Sequence, residues 1–307
     1  MATEQAVEFA NFLAALSERY SNTELDLPTV RDIVESIHLA TKEPEDVSYA
    51  EQTAGGVDAL WCIPAGSDSR AVLLHNHMGG TVVASMHSDR KAAAHIAKAA
   101  GVRSLVLNYR RSPENQFPAQ IEDVERAYDW LIDEGYRPEN IASVGHSVGG
   151  NFAVSLALRL RDRGDMLPGA ILSISPWVDT TLTNETIDSN AQVDKLLSRS
   201  LLEFFRSAWL DGTGVDWKDP RVNLLEADLA GLPPLAVYYG TNELLAGEAV
   251  EFAHRARAAN NDVLLRRVPE GQHSFIVGAG RVPEVDQAIT EMGTWLRSKL
   301  GLGPRID

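Results

Sequence analysis

The chain has 307 residues, of which 44% are apolar and 23% are charged, and these proportions allow a large buried core. Its net charge of −15 argues against a nucleic-acid partner, because phosphate groups would be repelled. The single cysteine, Cys62, excludes an intramolecular disulfide, and with no signal-peptide pattern and no run of membrane-spanning length we expect a cytoplasmic protein that binds no membrane.

Two helices are predicted at the amino terminus, over residues 6–20 and 28–39, because apolar residues recur there at helical spacing. From about residue 57 strands alternate with helices, and a helix near 284–300 ends the pattern. The predicted strands are Ala59–Ile63, Ala71–Leu74, Ser104–Asn108, Ile141–Val144, Ala170–Ile174, Leu235–Tyr239 and Val263–Val268. Several are continuous apolar runs, which is typical of parallel strands covered on both faces. The alternation predicts an α/β fold with a mostly parallel sheet.

One interval interrupts this alternation. About sixty residues separate the strand ending at Ile174 from the next one at Leu235, too many for a simple crossover. Residues 196–210 lie in this interval and form an amphipathic helical pattern that includes Phe205 and Trp209. An inserted helical cap is the expected explanation.

The segment Gly145-His-Ser-Val-Gly149 lies between a predicted strand and a predicted helix. A Gly-x-Ser-x-Gly turn in that context holds its serine in a strained conformation with the hydroxyl exposed. Ser147 is therefore the candidate nucleophile, and it needs a neighbouring base to remove its proton.

Two histidines follow Ser147 in the chain. His254 falls in a helical run, whereas His273 follows the strand Val263–Val268 directly, so His273 is the predicted base. The acid is expected in the loop after the preceding strand, where Glu243 is the first candidate and Glu248 the alternative. The structural alternative for Glu243 is a carboxylate at a helix start.

Paired glycines follow the strand Ala71–Leu74. The N–H groups of Gly79 and Gly80, together with that of Val148, are predicted to form an oxyanion hole, the alternative for the glycines being a structural turn. His75, His77 and His146 suggest a metal cluster, but their spacing and the lack of carboxylates argue against one. We therefore expect neither a metal nor a cofactor.

Several motifs together resemble the bacterial hormone-sensitive-lipase family, family IV of the α/β-hydrolase esterases. The resemblance covers roughly residues 57–300. The matching segments are His77-Met-Gly-Gly80, Tyr109-Arg-Arg-Ser-Pro-Glu114, Phe117-Pro-Ala119 with Asp123, Gly145-His-Ser-Val-Gly-Gly150 and Ser175-Pro-Trp177. The resemblance implies a single α/β-hydrolase domain over residues 1–307, with helices on both faces of the sheet and cap elements at about 1–45 and 178–222.

The chain departs from that family at a few positions. Met78 replaces the first glycine of the family's triplet, His146 replaces an aspartate, and Val148 replaces an alanine. The acid, Glu243, is more often an aspartate in the family. No departure removes a member of the expected serine, histidine and acid set. Met78, His146, Phe205 and Trp209 are candidate contacts to the substrate, and cap core is the alternative for Phe205 and Trp209.

The resemblance implies a serine carboxylic-ester hydrolase that acts on short- to medium-chain soluble esters through an acyl-enzyme. Hydrolysis of lactones or amides by the same residues is the alternative within the enzyme class. A different class is a small-molecule receptor on the esterase fold, but such receptors lack the catalytic histidine, whereas His273 is present. Because many members of the family dimerise through the edge of the sheet, a homodimer is a reasonable expectation.

Overall fold

The computed structural model of the protein describes residues 3–22 and 24–303. Eight strands of the described chain form one sheet in the order β1-β2-β4-β3-β5-β6-β7-β8. They are β1 (Val47–Ala54), β2 (Val57–Pro64), β3 (Asp68–Asn76), β4 (Val102–Leu107), β5 (Ile141–His146), β6 (Ala170–Ile174), β7 (Leu235–Gly240) and β8 (Val263–Val268). β2 runs antiparallel to both of its neighbours, and β3 to β8 are mutually parallel. The predicted mostly parallel sheet is confirmed.

The seven predicted strands all occur, and β1 is an additional strand that was not predicted. This edge strand is half exposed and carries polar residues such as Glu51 and Gln52, so it shows no apolar run. It pairs with β2 through a hairpin whose two loop residues, Gly55 and Gly56, have φ values of +60° and +83°. A Gly-Gly pair between two extended segments is a recognised hairpin signal, and it would have located the strand.

Nine helices of the described chain surround the sheet. They are α1 (Glu4–Tyr20), α2 (Leu27–Glu35), α3 (Met86–Ala100), α4 (Ala119–Asp133), α5 (Val148–Arg163), α6 (Thr186–Ser189), α7 (Arg199–Leu210), α8 (Ala246–Ala258) and α9 (Pro283–Lys299). α3 and α9 pack together on one face, while α4, α5 and α8 cover the other. Helices on both faces explain why β5, β6 and most of β7 are buried along their length. The α/β-hydrolase fold class is confirmed.

The second predicted helix is shorter than expected, because α2 ends at Glu35 and a 3-10 helical segment, Ser36–Ala40, continues it. The long interval between β6 and β7 contains α6 and α7. α7 begins after Ser198, whose side chain accepts the N–H of Leu201 as an N-cap. Residues of α1, α2 and α7 line a common cavity with Ser147. The division into one domain with caps at 1–45 and 178–222 stays a prediction.

Within the described residues, we find no helix whose length and apolar composition together match those of a membrane-crossing segment.

Candidate active site

Ser147 occupies the turn between β5 and α5. Its backbone angles, φ +57° and ψ −129°, lie in a region that L-residues rarely adopt. The flanking glycines allow this turn, because a Cβ atom on Gly145 would lie 2.2 Å from the carbonyl oxygen of Gly149. A Cβ on Gly149 would lie 2.1 Å from the carbonyl oxygen of Asn76. The spacing of the motif is therefore a packing requirement of the turn.

Three side chains from different loops meet at the carboxyl ends of the parallel strands. His273 Nε2 lies 3.0 Å from Ser147 Oγ, and His273 Nδ1 lies 2.8 Å from Glu243 Oε2. Glu243 follows β7 and His273 follows β8, as the sequence analysis expected. A carboxylate oxygen only accepts, so Nδ1–H donates to Glu243 and Nε2 is left to accept the serine hydroxyl. This is the protonation pattern that a base for Ser147 requires.

All three side chains are buried. Burial lowers the pKa of His273 to about 4, so the imidazole is neutral at pH 7. Burial raises the pKa of Glu243, and hydrogen bonding by the Ser175 side chain and the Gly240 N–H opposes this effect. The Gly240 N–H lies 2.8 Å from Glu243 Oε1 and fixes the second oxygen. The site therefore presents an oriented neutral base beside a serine hydroxyl.

Gly79 and Gly80 line the same cavity as Ser147. Their φ values are +109° and +57°, and an added Cβ would lie 2.0 Å from Val83 O at Gly79 and 2.1 Å from the Phe205 ring at Gly80. No backbone hydrogen bond of the described residues uses the N–H of Gly79, Gly80 or Val148. These N–H groups are thus available to an oxygen bound beside Ser147.

The cavity above Ser147 has a volume of about 460 Å³. Most of its wall is apolar and comes from α1, α2 with the 3-10 segment after it, α7 with the segment before it, and the loop after β3. The apolar lining residues are Leu16, Tyr20, Leu25, Leu27, Val30, Val34, Ile37, Met78, Val83, Leu196, Leu197, Leu201, Phe204 and Phe205. The sequence does not distinguish the cavity-lining residues of α1 and α2 from core residues, because residues of both kinds recur with the same helical periodicity.

Of the four candidate substrate contacts, Met78 and Phe205 lie on the cavity wall, whereas His146 and Trp209 do not. Trp209 is buried on the far side of α7, where its Nε1 donates to Gln120 Oε1. It packs edge to face against Phe117 and Phe152. The prediction that His146 and Trp209 contact the substrate is therefore corrected, since each side chain is enclosed by protein.

His146 belongs to a buried network that the sequence analysis did not identify. The Nε2 atoms of His146 and His75 both donate to Asp89 Oδ2, the latter over 3.0 Å. Asp89 lies in the first turn of α3. Burial acts to raise the pKa of its carboxyl group, but the two imidazoles outweigh burial and hold that pKa well below its usual value. A carboxylate therefore does lie beside two of these histidines, which corrects the expectation that none is near them. The side chains of His75, Asp89 and His146 place possible metal-ligand atoms within 4.8 Å of one another. In this structure hydrogen bonds join the three side chains.

Glu248, the alternative acid, does not contact His273. It lies in α8 and is buried, and its Oε1 accepts the N–H groups of Val178 and Asp179 over 2.6 and 3.1 Å. His254 is exposed on the same helix. The structure therefore brings Glu243 and His273 to Ser147 and leaves the two alternatives elsewhere.

Comparison with known proteins supports the fold and the family. A family model of the α/β hydrolase fold matches residues 73–277. An acetyl-hydrolase of Streptomyces hygroscopicus is 34% identical over 251 residues, which cover 82% of this chain and 83% of that protein. An esterase of Acinetobacter venetianus is 28% identical over 236 residues, 77% of this chain and 78% of that one.

Solved structures also support the fold and the family. The crystal structure of an esterase from the bacterial hormone-sensitive lipase family superposes with a TM-score of 0.93 and 34% sequence identity. The superposition covers 98% of this chain and all of that one (100%). With the fold, the family model and these relatives in agreement, the chain belongs to the bacterial hormone-sensitive-lipase family of α/β-hydrolase esterases and is a carboxylic-ester hydrolase.

Proposed function

We propose that this chain hydrolyses short- to medium-chain carboxylic esters through an acyl-enzyme formed on Ser147, with His273 as general base and Glu243 as its acid partner. The observation that carries the proposal is the continuous pair of contacts from Ser147 Oγ to His273 Nε2 and from His273 Nδ1 to Glu243. A base held in this way is what a serine hydroxyl needs to become a nucleophile.

In the first half of the reaction, Ser147 Oγ attacks the ester carbonyl while His273 Nε2 takes the hydroxyl proton. The resulting imidazolium is stabilised by the Glu243 carboxylate. The carbonyl electron pair returns, the bond to the alcohol oxygen breaks, and His273 protonates that oxygen as it leaves. In the second half, water gives a proton to His273 and attacks the acyl group, and the serine is regenerated.

The tetrahedral intermediates carry a negative oxygen, and we assign the N–H groups of Gly79, Gly80 and Val148 to it. Their availability among the described backbone groups supports this assignment. Fixed donors of this kind stabilise charge that develops in the transition state without the cost of reorganising water, and losing one costs about 2.7–4 kcal/mol.

The apolar cavity of about 460 Å³ supports an ester with a hydrocarbon acyl or alcohol group of modest size. The acetyl-hydrolase name of the Streptomyces relative supports small acyl groups. Lactones and amides require the same nucleophile and base, so they belong in the test. The contact between His273 and Ser147 supports an enzyme over a receptor on this fold.

The test is a hydrolysis panel of aryl esters with acyl chains from acetate to dodecanoate, extended with lactones and anilides. We expect turnover of the shorter esters, and a Ser147→Ala variant should lose at least about a thousandfold in kcat. Ser155→Ala is the matched control, because Ser155 is a buried serine of the helix that follows, α5, and its Oγ donates to Asn151 Oδ1.

An organophosphonate should add one adduct to Ser147, found by mass spectrometry of peptides. Full activity in Ser147→Ala would show that the nucleophile is wrong. No turnover across the panel together with no adduct would favour the receptor hypothesis.

A further inference from the structure

Three side chains spaced four residues apart hold the loop that carries Glu243. This Glu243 loop comprises residues 241–245 and leads directly into α8. Thr186 Oγ1 donates to Leu244 O and accepts the N–H of Gly247, over 2.6 and 2.9 Å. Asn190 Nδ2 donates to Thr241 O and Glu243 O, over 3.2 and 2.9 Å. The third side chain, Asp194, accepts the N–H of Leu244 at Oδ2 over 2.8 Å.

Asp194 also holds part of the cavity wall. It is 6% exposed, and its Oδ1 accepts the N–H groups of Leu196 and Leu197, each over 2.9 Å. Both leucines line the cavity. The carbonyl of Leu196 accepts hydrogen bonds from Ser17 and Tyr20 of α1. One carboxylate thus joins the wall built by α1 to the residue next to Glu243.

The same segment contacts the loop of the base. The N–H of Lys195 donates to Gln272 Oε1 over 2.8 Å, and Gln272 directly precedes His273. Residues 194 and 195 therefore bond to both loops that supply partners to Ser147. A displacement of this segment would move the acid, the base and the cavity wall together.

The Asp194 carboxylate is close enough to His273 for its charge to act on the protonation of the imidazole. Burial lowers the pKa of His273, and the Asp194 carboxylate opposes this by favouring the imidazolium. Burial raises the pKa of Asp194, but three backbone N–H groups donate to its charged form. In the described part of the chain, neither lysine nor arginine forms an ion pair with it. The other titratable groups facing this pair are Tyr20, Glu243 and His146.

We propose that Asp194 is a positioning residue that holds the cavity wall against the loops of Glu243 and His273 and supplies a second negative charge to the His273 imidazolium. The proposal rests on the proposed function, in which that imidazolium forms when Ser147 loses its proton. It goes beyond the serine, histidine and acid set, because Asp194 has no contact with Ser147 and acts through Leu244 and His273.

The first measurement does not depend on turnover. The imidazole of His273 is titrated by NMR in the wild type and in Asp194→Asn, with His273→Gln used to assign its signal among the eight histidines. Removing the negative charge disfavours the imidazolium, so the His273 pKa should fall by about half a unit or more. Asp194→Glu keeps the charge and should leave the His273 pKa close to the wild-type value.

The second measurement is the pH profile of kcat with an aryl ester. The wild-type acid limb should lie below pH 6.5, and it should move to lower pH in Asp194→Asn, while kcat at neutral pH falls about tenfold to a hundredfold. Thr186→Val is the matched control, because it loses hydrogen bonds to the Glu243 loop without changing a charge. It should lower kcat and leave the acid limb in place.

An unchanged His273 pKa in Asp194→Asn, or an equal shift in Thr186→Val, would overturn the proposal. A lowered His273 pKa in Asp194→Glu would also overturn it. The glutamate variant provides this test if Asp194→Asn does not fold. A wild type that titrates as expected but hydrolyses none of the esters would instead count against the proposed function alone.

Discussion

At the scale of single residues, position 146 shows how a changed motif residue is accommodated. Relatives of the family usually carry an aspartate beside the nucleophile, and here the residue is His146. The carboxylate lies instead on α3, where Asp89 accepts hydrogen bonds from both His146 and His75. An acid and two imidazoles therefore meet beneath Ser147. The network joins α3, β3 and β5 at the base of the nucleophile turn.

Asp89→Ala should destabilise the protein strongly, because it leaves two buried imidazole N–H groups without an acceptor. We expect the free energy of unfolding to fall by about 2–5 kcal/mol, measured by urea denaturation at pH 7. Asp262→Ala is the control, since Asp262 is 65% exposed in its ion pair with Lys299 and should cost less than about 1 kcal/mol. Equal losses in the two variants would contradict a special role for the buried network.

At the scale of elements, the loop before α3 and helix α7 form one side of the site together. Gly80 contacts Phe205 of α7 so closely that a Cβ would lie 2.1 Å from the ring. Both residues line the cavity beside Ser147. The position of the loop N–H groups therefore depends on where α7 packs.

Gly80→Ala should lower kcat about a hundredfold, because the methyl group pushes the loop away from α7 and misplaces the N–H groups. The measurement is kcat for an aryl ester, with folding checked by thermal melting. Adding Phe205→Ala to this variant should recover part of the loss, since it removes the two nearest ring atoms.

Gly66→Ala controls for backbone strain in that comparison. Gly66 has a φ of +68°, close to that of Gly80, but no atom lies within 4 Å of its added Cβ. It should leave kcat unchanged. A similar loss in Gly66→Ala, or no recovery in the double variant, would show that contact with α7 is not the cause.

Elements also differ in how well the sequence predicts them. Strands β3, β5, β6 and β7 were found because burial on both faces demands continuous apolar residues. β1 was missed because polar residues interrupt the apolar pattern of an edge strand with an exposed face, so that its sequence resembles that of a loop. The carboxyl end of α2 was placed too late, since the 3-10 segment after it continues the apolar spacing.

At the scale of the whole molecule, the cavity exists only because distant segments meet. Leu16 of α1 reaches the same space as Ser147 and Phe205, although both lie more than a hundred positions further along the chain. The amino-terminal helices are therefore part of the proposed substrate site. The homodimer stays a prediction, as does the absence of a nucleic-acid or membrane partner.

Leu16→Phe should narrow this cavity and shift selectivity towards short acyl chains. We expect the ratio of kcat/KM for the octanoate ester to that for the acetate ester to fall about tenfold. Val7→Phe adds the same ring on the same helix, but Val7 is 50% exposed and lies outside the cavity, so the ratio should not change. An unchanged ratio in Leu16→Phe would mean that the acyl chain binds elsewhere.

The sequence by itself determined the strand and helix alternation, the strained turn at Ser147 and the choice of Glu243 and His273. These features are local, because a turn needs its own glycines and a loop residue is recognised by the strand before it. The same local information could not show that Asp89 meets His75 and His146, or that Asp194 reaches Leu244.

Only the tertiary structure decided which apolar residues form the cavity wall and which lie in the core. Phe205 and Trp209 have the same helical pattern in the sequence, yet one faces the cavity and the other packs against Phe117 and Phe152. The physical reason is that the hydrophobic effect is non-directional, so it favours covering an apolar side chain whatever group covers it. A residue's periodicity shows that it is covered, whereas the packing of distant elements decides what covers it.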